Sequence, residues 1–185
     1  MSKDLVLRAR SGDSEAFTEL ADAAFDGLFR IARLILRDDD LAADAVQTAL
    51  VNAWLHIRAV REPDRFESWL RRLVVHACYR EARRLRRRRS VEVRFVALEP
   101  PGVDDVQAPL AIRDQLDRGF RRLSPQQRAV LVAHHYLGLP DGEAASILDI
   151  PVGTYKSRLN RASAALRAAI EADARTPGLP QESVG

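Results

Sequence analysis

At 185 residues, with 46% hydrophobic and 30% charged side chains, the chain has room for one medium domain or two small ones and the composition of an ordinary globular protein. Its net charge of +3 conceals a division: Lys and Arg outnumber Asp and Glu 18 to 14 over residues 1–90, fall to 2 against 5 over 91–115, and lead 9 to 7 over 116–185. One cysteine, Cys78, excludes an internal disulfide and a Cys-cluster zinc site, no apolar run approaches a membrane span, and the opening Met-Ser-Lys-Asp-Leu is not a signal peptide, so a cytoplasmic chain without membrane insertion is expected.

Lys3 to Arg10 is a short helix candidate, and Ser11-Gly12-Asp13-Ser14 breaks it and caps the next. Phe17, Leu20, Ala21, Ala24, Leu28, Ile31 and Ile35 mark a long second helix. Asp38-Asp39-Asp40 ends it and supplies the N-cap and first-turn negative charge of a third. That third helix is expected to turn Ala42, Ala45, Val46, Ala49, Leu50, Ala53, Trp54 and Ile57 inward. Pro63 keeps the segment from Arg58 to Phe66 out of a helix interior. A fourth helix starts near Glu67, with Trp69, Leu70, Leu73, Val74, Ala77 and Cys78 on its apolar side. Trp69 reads as core, and Cys78 as a buried, inert thiol.

The fourth helix ends in Arg80, Arg83, Arg84, Arg86, Arg87, Arg88 and Arg89 against one acid, Glu81. Such a run is often only a solvated face. Here it extends a helix anchored by apolar residues, and like charges at helical spacing repel, so a polyanion would relieve it. Residues 91–110 lose helical periodicity, gather Pro100, Pro101, Gly102 and Pro109, and read as a flexible linker, with Val91, Val93, Phe95 and Val96 as a possible brief extended segment. Ile112, Leu116 and Phe120 open a second helical domain.

Ser124-Pro125-Gln126-Gln127 is a helix start with a hydroxyl cap, Pro at the first helical position and Gln three residues after the cap. Gly138 suits a left-handed stop. A short helix follows from about Asp141 to Leu148 with Ala144, Ala145 and Leu148 inward, and Asp149-Ile150-Pro151 turns the chain. The last helix carries Val152, Tyr155, Leu159, Ala162, Leu166 and Ala169 on one stripe, and Thr154, Lys156, Ser157, Arg158, Asn160 and Arg161 on the other. It has no acid from Val152 to Ile170, and such a helix can lie in a major groove with its first turns against base edges and phosphates. The same pattern also suits a plain bundle with a basic outer face. The fold class is therefore all-α: a helical domain over 1–90, a linker over 91–110, a tri-helical helix-turn-helix domain over 111–172 and a disordered tail over 173–185.

Gly153-Thr154-Tyr155-Lys156-Ser157-Arg158-Leu159, after Glu143-Ala144-Ala145, resembles the promoter-reading domain of bacterial RNA polymerase sigma factors of the extracytoplasmic-function (ECF) group. Asp44-Ala45-Val46-Gln47 with Ala53-Trp54 is similar to the family's clamp-binding helix, and Phe66-Glu67-Ser68-Trp69-Leu70 with the arginines to its promoter-melting segment. The resemblance implies contact with core RNA polymerase, on the clamp of the largest subunit and the flap of the second largest, with Asp44, Gln47, Asn52 and Trp54 on the docking helix. It implies that Thr154, Lys156, Ser157, Arg158 and Arg161 read the minus-thirty-five element. Asp64, Arg65 and Phe66, with Arg80, Arg83, Arg84, Arg87 and Arg88, would engage and melt the minus-ten element. It implies promoter DNA and an anti-sigma factor as partners, the linker near the RNA exit path, no cofactor, no metal and no catalytic residue. The chain departs from the family pattern at Ala43, His76, Arg80, Pro140, Asp149 and Pro151.

A stand-alone helix-turn-helix regulator is the alternative, though such a protein does not need seven arginines on a separate helix. An enzyme is disfavoured. His134 and His135 are adjacent and should point to different sides of a helix, and no Gly-rich phosphate loop or activated Ser or Cys is present. Asp38–Asp40 reads as a cap rather than a cation site.

Overall fold

The computed structural model describes residues 2–91 and 110–174, with side-chain surroundings for 2–87 and 115–172. The described residues are helical, with no strand among them. Helix α1 spans Lys3–Arg10, and Gly12 reverses the chain at φ 103. Asp13 then caps α2 (Ser14–Leu36) by accepting the Ala16 amide at 3.0 Å. That bond, with the Arg8 guanidinium beside it, holds the Asp13 carboxyl below its ordinary value. α2 buries Leu20, Ala24, Leu28, Ile31 and Ile35 of the stripe that periodicity marks, with Ala16, Ala32 and Leu36 beside them, leaves Phe17 and Ala21 half-buried, and ends at Arg37, which adopts a left-handed conformation at φ 56.

Asp38 caps α3 (Asp39–His56), accepting from the Leu41 amide at 2.9 Å. The inner face of α3 is almost all alanine — Ala42, Ala45, Ala49 and Ala53, with Val46 — so its backbone approaches α2 and α4 closely. The expected inward set is corrected at two places. Leu50 is half-buried, and Trp54 lies outward at 37% exposure, its ring tilted against Phe17 at 5.1 Å between ring centres. Two short 3₁₀ turns, Ile57–Ala59 and Pro63–Arg65, lead into α4 (Phe66–Val91). Val91 thus closes a helix rather than opening an extended segment. Phe66, Leu70, Val74, Val75, Cys78 and Tyr79 are fully buried along α4, while Trp69 is half-buried. Burial pushes the Cys78 thiol up to about 12, so it is protonated and inert at neutral pH.

In the second half α5 spans Leu110–Arg121, α6 Pro125–Leu131, α7 Asp141–Ile147 and α8 Val152–Ala174. The start of α6 is a complete capping box: the Gln127 amide donates to Ser124 Oγ at 3.3 Å and the Ser124 amide to Gln127 Oε1 at 2.8 Å. The helix widens into a π turn over Val132–Tyr136, and Gly138 stops it at φ 63. Asp149 takes the left-handed turn position between α7 and α8, at φ 52. Gly119 lets α5 meet α8, since a Cβ there would stand 2.9 Å from Leu166 Cδ1. The inner stripe of α8 is buried at Tyr155, Ala162 and Ala169, but Val152 is 43% exposed because the helix starts beyond the edge of the core.

The two halves share one core. Ala129, Val130, Val132, Ala133, Ala144, Ala145, Leu148 and Tyr155 join the cluster built on α2, α3 and α4, and a smaller one forms from Leu123, Leu131 and Ala162. Most of the expected linker and the expected tail lie outside the described residues.

Candidate nucleic-acid interface

α8 presents its polar face as the stripe requires. Lys156, Ser157 and Arg161 are exposed and Thr154 is half-exposed. They brace one another: the Ser157 hydroxyl donates to the Thr154 carbonyl at 2.9 Å, and Arg161 donates to the Ser157 carbonyl at 3.1 Å. Lys156 stands 3.7 Å from Asp141, which draws it towards the start of α7. Arg158 differs from its neighbours. It is half-buried and donates to the Tyr79 hydroxyl of α4.

On the first half, Arg80, Arg84 and Arg87 are exposed and Arg83 half-exposed along the end of α4, and Arg84 pairs with Glu81 at 3.4 Å. The side chain of Arg88 lies outside the described residues. Asp64 and Arg65 are exposed on the turn before α4, near Lys3 and Glu62 respectively. Phe66 corrects the expectation placed on it. Its side chain is 0% exposed and packs 5.8 Å from Trp69, so in this arrangement it shapes the core beneath the turn and offers no face to a base. The first position of α4 falls on the apolar stripe, and burial of the ring outweighs its proximity to the surface turn.

Asp44, Gln47 and Asn52 are exposed on α3. Together with Arg80, Arg83, Arg84 and Arg87 they line a groove of about 910 Å³ between α3 and α4, to which Asp149 of the second half also contributes. Residues expected to face polymerase and residues expected to face DNA thus share one groove. Trp54 stands apart, beside the exposed Val51 (54%) and Leu55 (67%), in an apolar patch on the same helix. His76, one of the departures from the family pattern, also lines the groove. Burial, then the nearby Arg80 charge, lowers its pKa against the opposing pull of Asp149, so it is neutral at pH 7.

Several residues that hold the site together carry no local sequence signal. Arg128 is 5% exposed, and its guanidinium donates to the Ile35 carbonyl at 2.6 Å and the Leu36 carbonyl at 3.3 Å across the two halves, and to Leu123 within its own. Burial, and then the charge of Arg37, lowers its pKa to about 10, which leaves it charged at neutral pH. Arg37 forms a two-pronged pair with Asp117, at 2.8 and 3.3 Å. Burial works to raise the Asp117 carboxyl, but hydrogen bonds from Arg37 and Arg121 outweigh it and hold the carboxyl below its ordinary value. Arg72 of α4 pairs with Glu143 of α7.

His134 and His135 do not diverge as adjacent helical residues should. Within the π turn their rings meet edge to face, 4.7 Å between centres. No group of three or more metal-ligating side chains forms among the described residues, and no described helix is long and apolar enough to cross a membrane.

Comparison with known proteins accounts for both halves. Residues 20–88 match the family model described as Sigma-70 region 2, and residues 113–166 the one described as Sigma-70, region 4. The ECF RNA polymerase sigma factor SigM of Mycobacterium tuberculosis (strain ATCC 25618 / H37Rv) is 33% identical over 156 residues, which span 84% of this chain and 78% of that protein. Among solved structures, CnrH in complex with the cytosolic domain of CnrY is 27% identical, with a TM-score of 0.54 over 92% of this chain and 97% of that one. The sigma factor RpoE in complex with the anti-sigma factor NepR, from Bartonella quintana, shares the fold at 23% identity and a TM-score of 0.55, over 85% and 98% of the two chains.

Proposed function

The chain belongs to the extracytoplasmic-function group of the sigma-70 family of RNA polymerase sigma factors, and from that premise we propose how its two halves divide the work of starting transcription. As an alternative sigma factor it joins core polymerase and brings it to a promoter. The outer face of α3 docks on the clamp. Asp44, Gln47 and Asn52 supply polar contacts there, and Trp54, with Val51 and Leu55 beside it, supplies apolar area that is exposed in the free chain. The start of α8 reads the upstream element: Thr154, Lys156, Ser157 and Arg161 lie along its outer side, with Arg158 added once it leaves Tyr79. Arg80, Arg83, Arg84 and Arg87, with the continuing arginines, hold the backbone of the melted element, and Asp64 and Arg65 on the preceding turn meet an unstacked base. The work is binding and strand separation in the cytoplasm, with no covalent step. On this reading the chain divides into a core-binding and minus-ten domain over 1–90, a linker over 91–110, a minus-thirty-five domain over 111–172 and a tail over 173–185.

The observation that carries this reading is the pairing of an exposed apolar patch on α3 with a basic, acid-free face on α8, each inside the family match expected to bear it. An anti-sigma factor that covers the α3 patch is the expected regulator, since an exposed apolar face of this kind needs a cover when polymerase is absent. Co-elution with core RNA polymerase, beside duplex binding by the chain alone, tests the proposal. Tight joining to core with weak unaided duplex binding supports it. A chain that ignores core yet binds a specific duplex unaided would instead be a stand-alone regulator.

A further inference from the structure

α8 has no acid of its own from Val152 to Ile170, but the fold brings one to its basic face. The turn through Asp149 packs α7 against α8, and Asp141, the first residue of α7, comes to stand beside Lys156. One carboxylate oxygen of Asp141 lies 3.7 Å from Lys156 Nζ, and the other lies 3.8 Å from His134 Nδ1. Neither contact is short enough to be a hydrogen bond, so both oxygens keep lone pairs for another donor. The other acid in this turn of α7, Glu143, is engaged elsewhere, on Arg72 of α4. Lys156 and Asp141 both reach solvent, and an ion pair in that setting is worth little to the fold. Its effect falls on what the pair meets.

In the major groove a G·C pair shows two acceptors, guanine N7 and O6, next to one donor, the cytosine N4 amine. The cations of α8 can satisfy only the acceptors, since ammonium and guanidinium groups donate and never accept. A carboxylate accepts from cytosine N4, and Asp141 places one beside an ammonium that donates to guanine. An ammonium has three donors and a carboxylate several acceptor sites, so the two can face a base pair without leaving each other. The geometry points to Asp141 as a further specificity-determining residue: Asp141 and Lys156 together read one G·C pair, the lysine on guanine and the carboxylate on the cytosine amine. This rests on the reading of α8 as the upstream-element helix. The first helix of a helix-turn-helix crosses the DNA backbone, so a carboxylate on α7 is also repelled by phosphate on any duplex. That repulsion is offset only where a cytosine amine meets it, and the same side chain therefore favours one sequence and disfavours the rest.

The test uses the full chain joined to bacterial core RNA polymerase and two probes. One is the duplex that emerges from a pool randomised over the upstream element, and the other is the same duplex with that segment scrambled. The wild-type chain should select G·C at one position of the segment, and exchange for A·T there should lower affinity about tenfold. Asp141→Ala should erase that preference and raise affinity for the scrambled duplex about threefold, as a repelling charge leaves the backbone. Opposite signs on the two probes separate reading from a loss of folding, which would lower both. Asp141→Glu keeps the carboxylate and should retain the preference, whereas Lys156→Met should relax the same position. The proposal is overturned if Asp141→Ala leaves every position as selective as before, if it weakens both duplexes alike, or if Asp141 and Lys156 relax different positions. If no sequence is selected, or if Arg161→Ala leaves both affinities unchanged, the assignment of α8 to the upstream element fails and the proposal falls with it.

Discussion

The end of α4 and the start of α8 are both basic and differ in where the structure leaves the charge. Arg80, Arg84 and Arg87 of α4 remain on the surface of a helix whose opposite side is core, over a groove open to solvent. Arg158 of α8 is drawn into the contact between the halves, while Lys156 and Arg161 on either side stay outside. Both segments read as basic along the chain, the end of α4 the more so. Whether a cation is available to DNA is decided by what packs opposite it, and that depends on tertiary placement rather than on local charge.

The strongest way to break the contrast is to remove the fastening at the end of α2. Arg128→Met keeps the aliphatic stem and deletes the guanidinium. The Ile35 and Leu36 carbonyls then lose their donor, at roughly 1–3 kcal/mol for each buried group left unpaired, so a loss of about 3 kcal/mol is expected in urea unfolding. A loss below about 0.5 kcal/mol, the usual size of a surface substitution, would show that Arg128 sits in water-accessible space and fastens nothing. The next largest effect separates the two basic segments directly. Arg158→Ala should cost about 1–3 kcal/mol at a single upstream base pair and relax the preference there. Arg87→Ala should weaken binding across sequences and reduce the salt slope by about 0.9 on duplex or about 0.7 on single strands. If both variants behave alike in a salt titration against matched and mismatched promoters, the division of labour between α4 and α8 fails.

What could be read from the chain follows the same local-versus-distant line. Asp13, Asp38 and Ser124 with Gln127 announce helix starts because a cap needs only the next three residues, and each is found bonded as expected. Gly138 and Asp149 hold their turns for the same reason. The apolar stripes place α2, α4 and α8 on the core. Trp54 and Val152 escape that rule: each lies on an apolar stripe near a helix end, Trp54 covered in part by Phe17 and Val152 left 43% exposed. Phe66 escapes it in the other direction, buried although it begins its helix beside an exposed turn. Arg128 gives no warning at all. It follows a polar helix start, where an arginine is ordinarily solvated, and its partners on the first half are 92 and 93 residues away. The π turn over Val132–Tyr136, which brings His134 against His135, likewise shows no local signature.

Acidity offers a milder perturbation of the packing between the two halves. The Asp117 carboxyl is held below its ordinary value in the folded chain by Arg37 and Arg121, against the effect of burial. A carboxylate lowered in this way contributes stability that is complete above its unfolded pKa, near 3.9, and is lost as pH falls through the folded value. That packing should therefore be indifferent to pH from neutrality down to about 5 and loosen only in stronger acid. Scattering or a distance label across Arg72 and Glu143 would follow it. Opening between pH 7 and about 5 instead would implicate a histidine, since an unperturbed imidazole titrates there.

The smallest expected effect comes from a pair of tyrosines, one on each of the two helices first compared. Tyr79 and Tyr155 are both 0% exposed. Tyr79 accepts from Arg158, whereas the Tyr155 hydroxyl, near Asp141, has no hydrogen-bond partner among the described residues. Burial first, and then the Asp141 charge, pushes the Tyr155 phenol up to about 12, so it stays protonated under any physiological condition. Phenylalanine keeps the buried ring at both sites. At Tyr155 it removes an oxygen already desolvated without return, so stability should change by less than about 0.5 kcal/mol or rise slightly. At Tyr79 it removes the acceptor of the half-buried Arg158 and should weaken the contact between α4 and α8. Urea midpoints of the two variants measured side by side give the comparison. Equal losses would mean that the Tyr155 hydroxyl has a partner as good as the one Tyr79 has in Arg158, and that the two helices are fastened to the core in the same way.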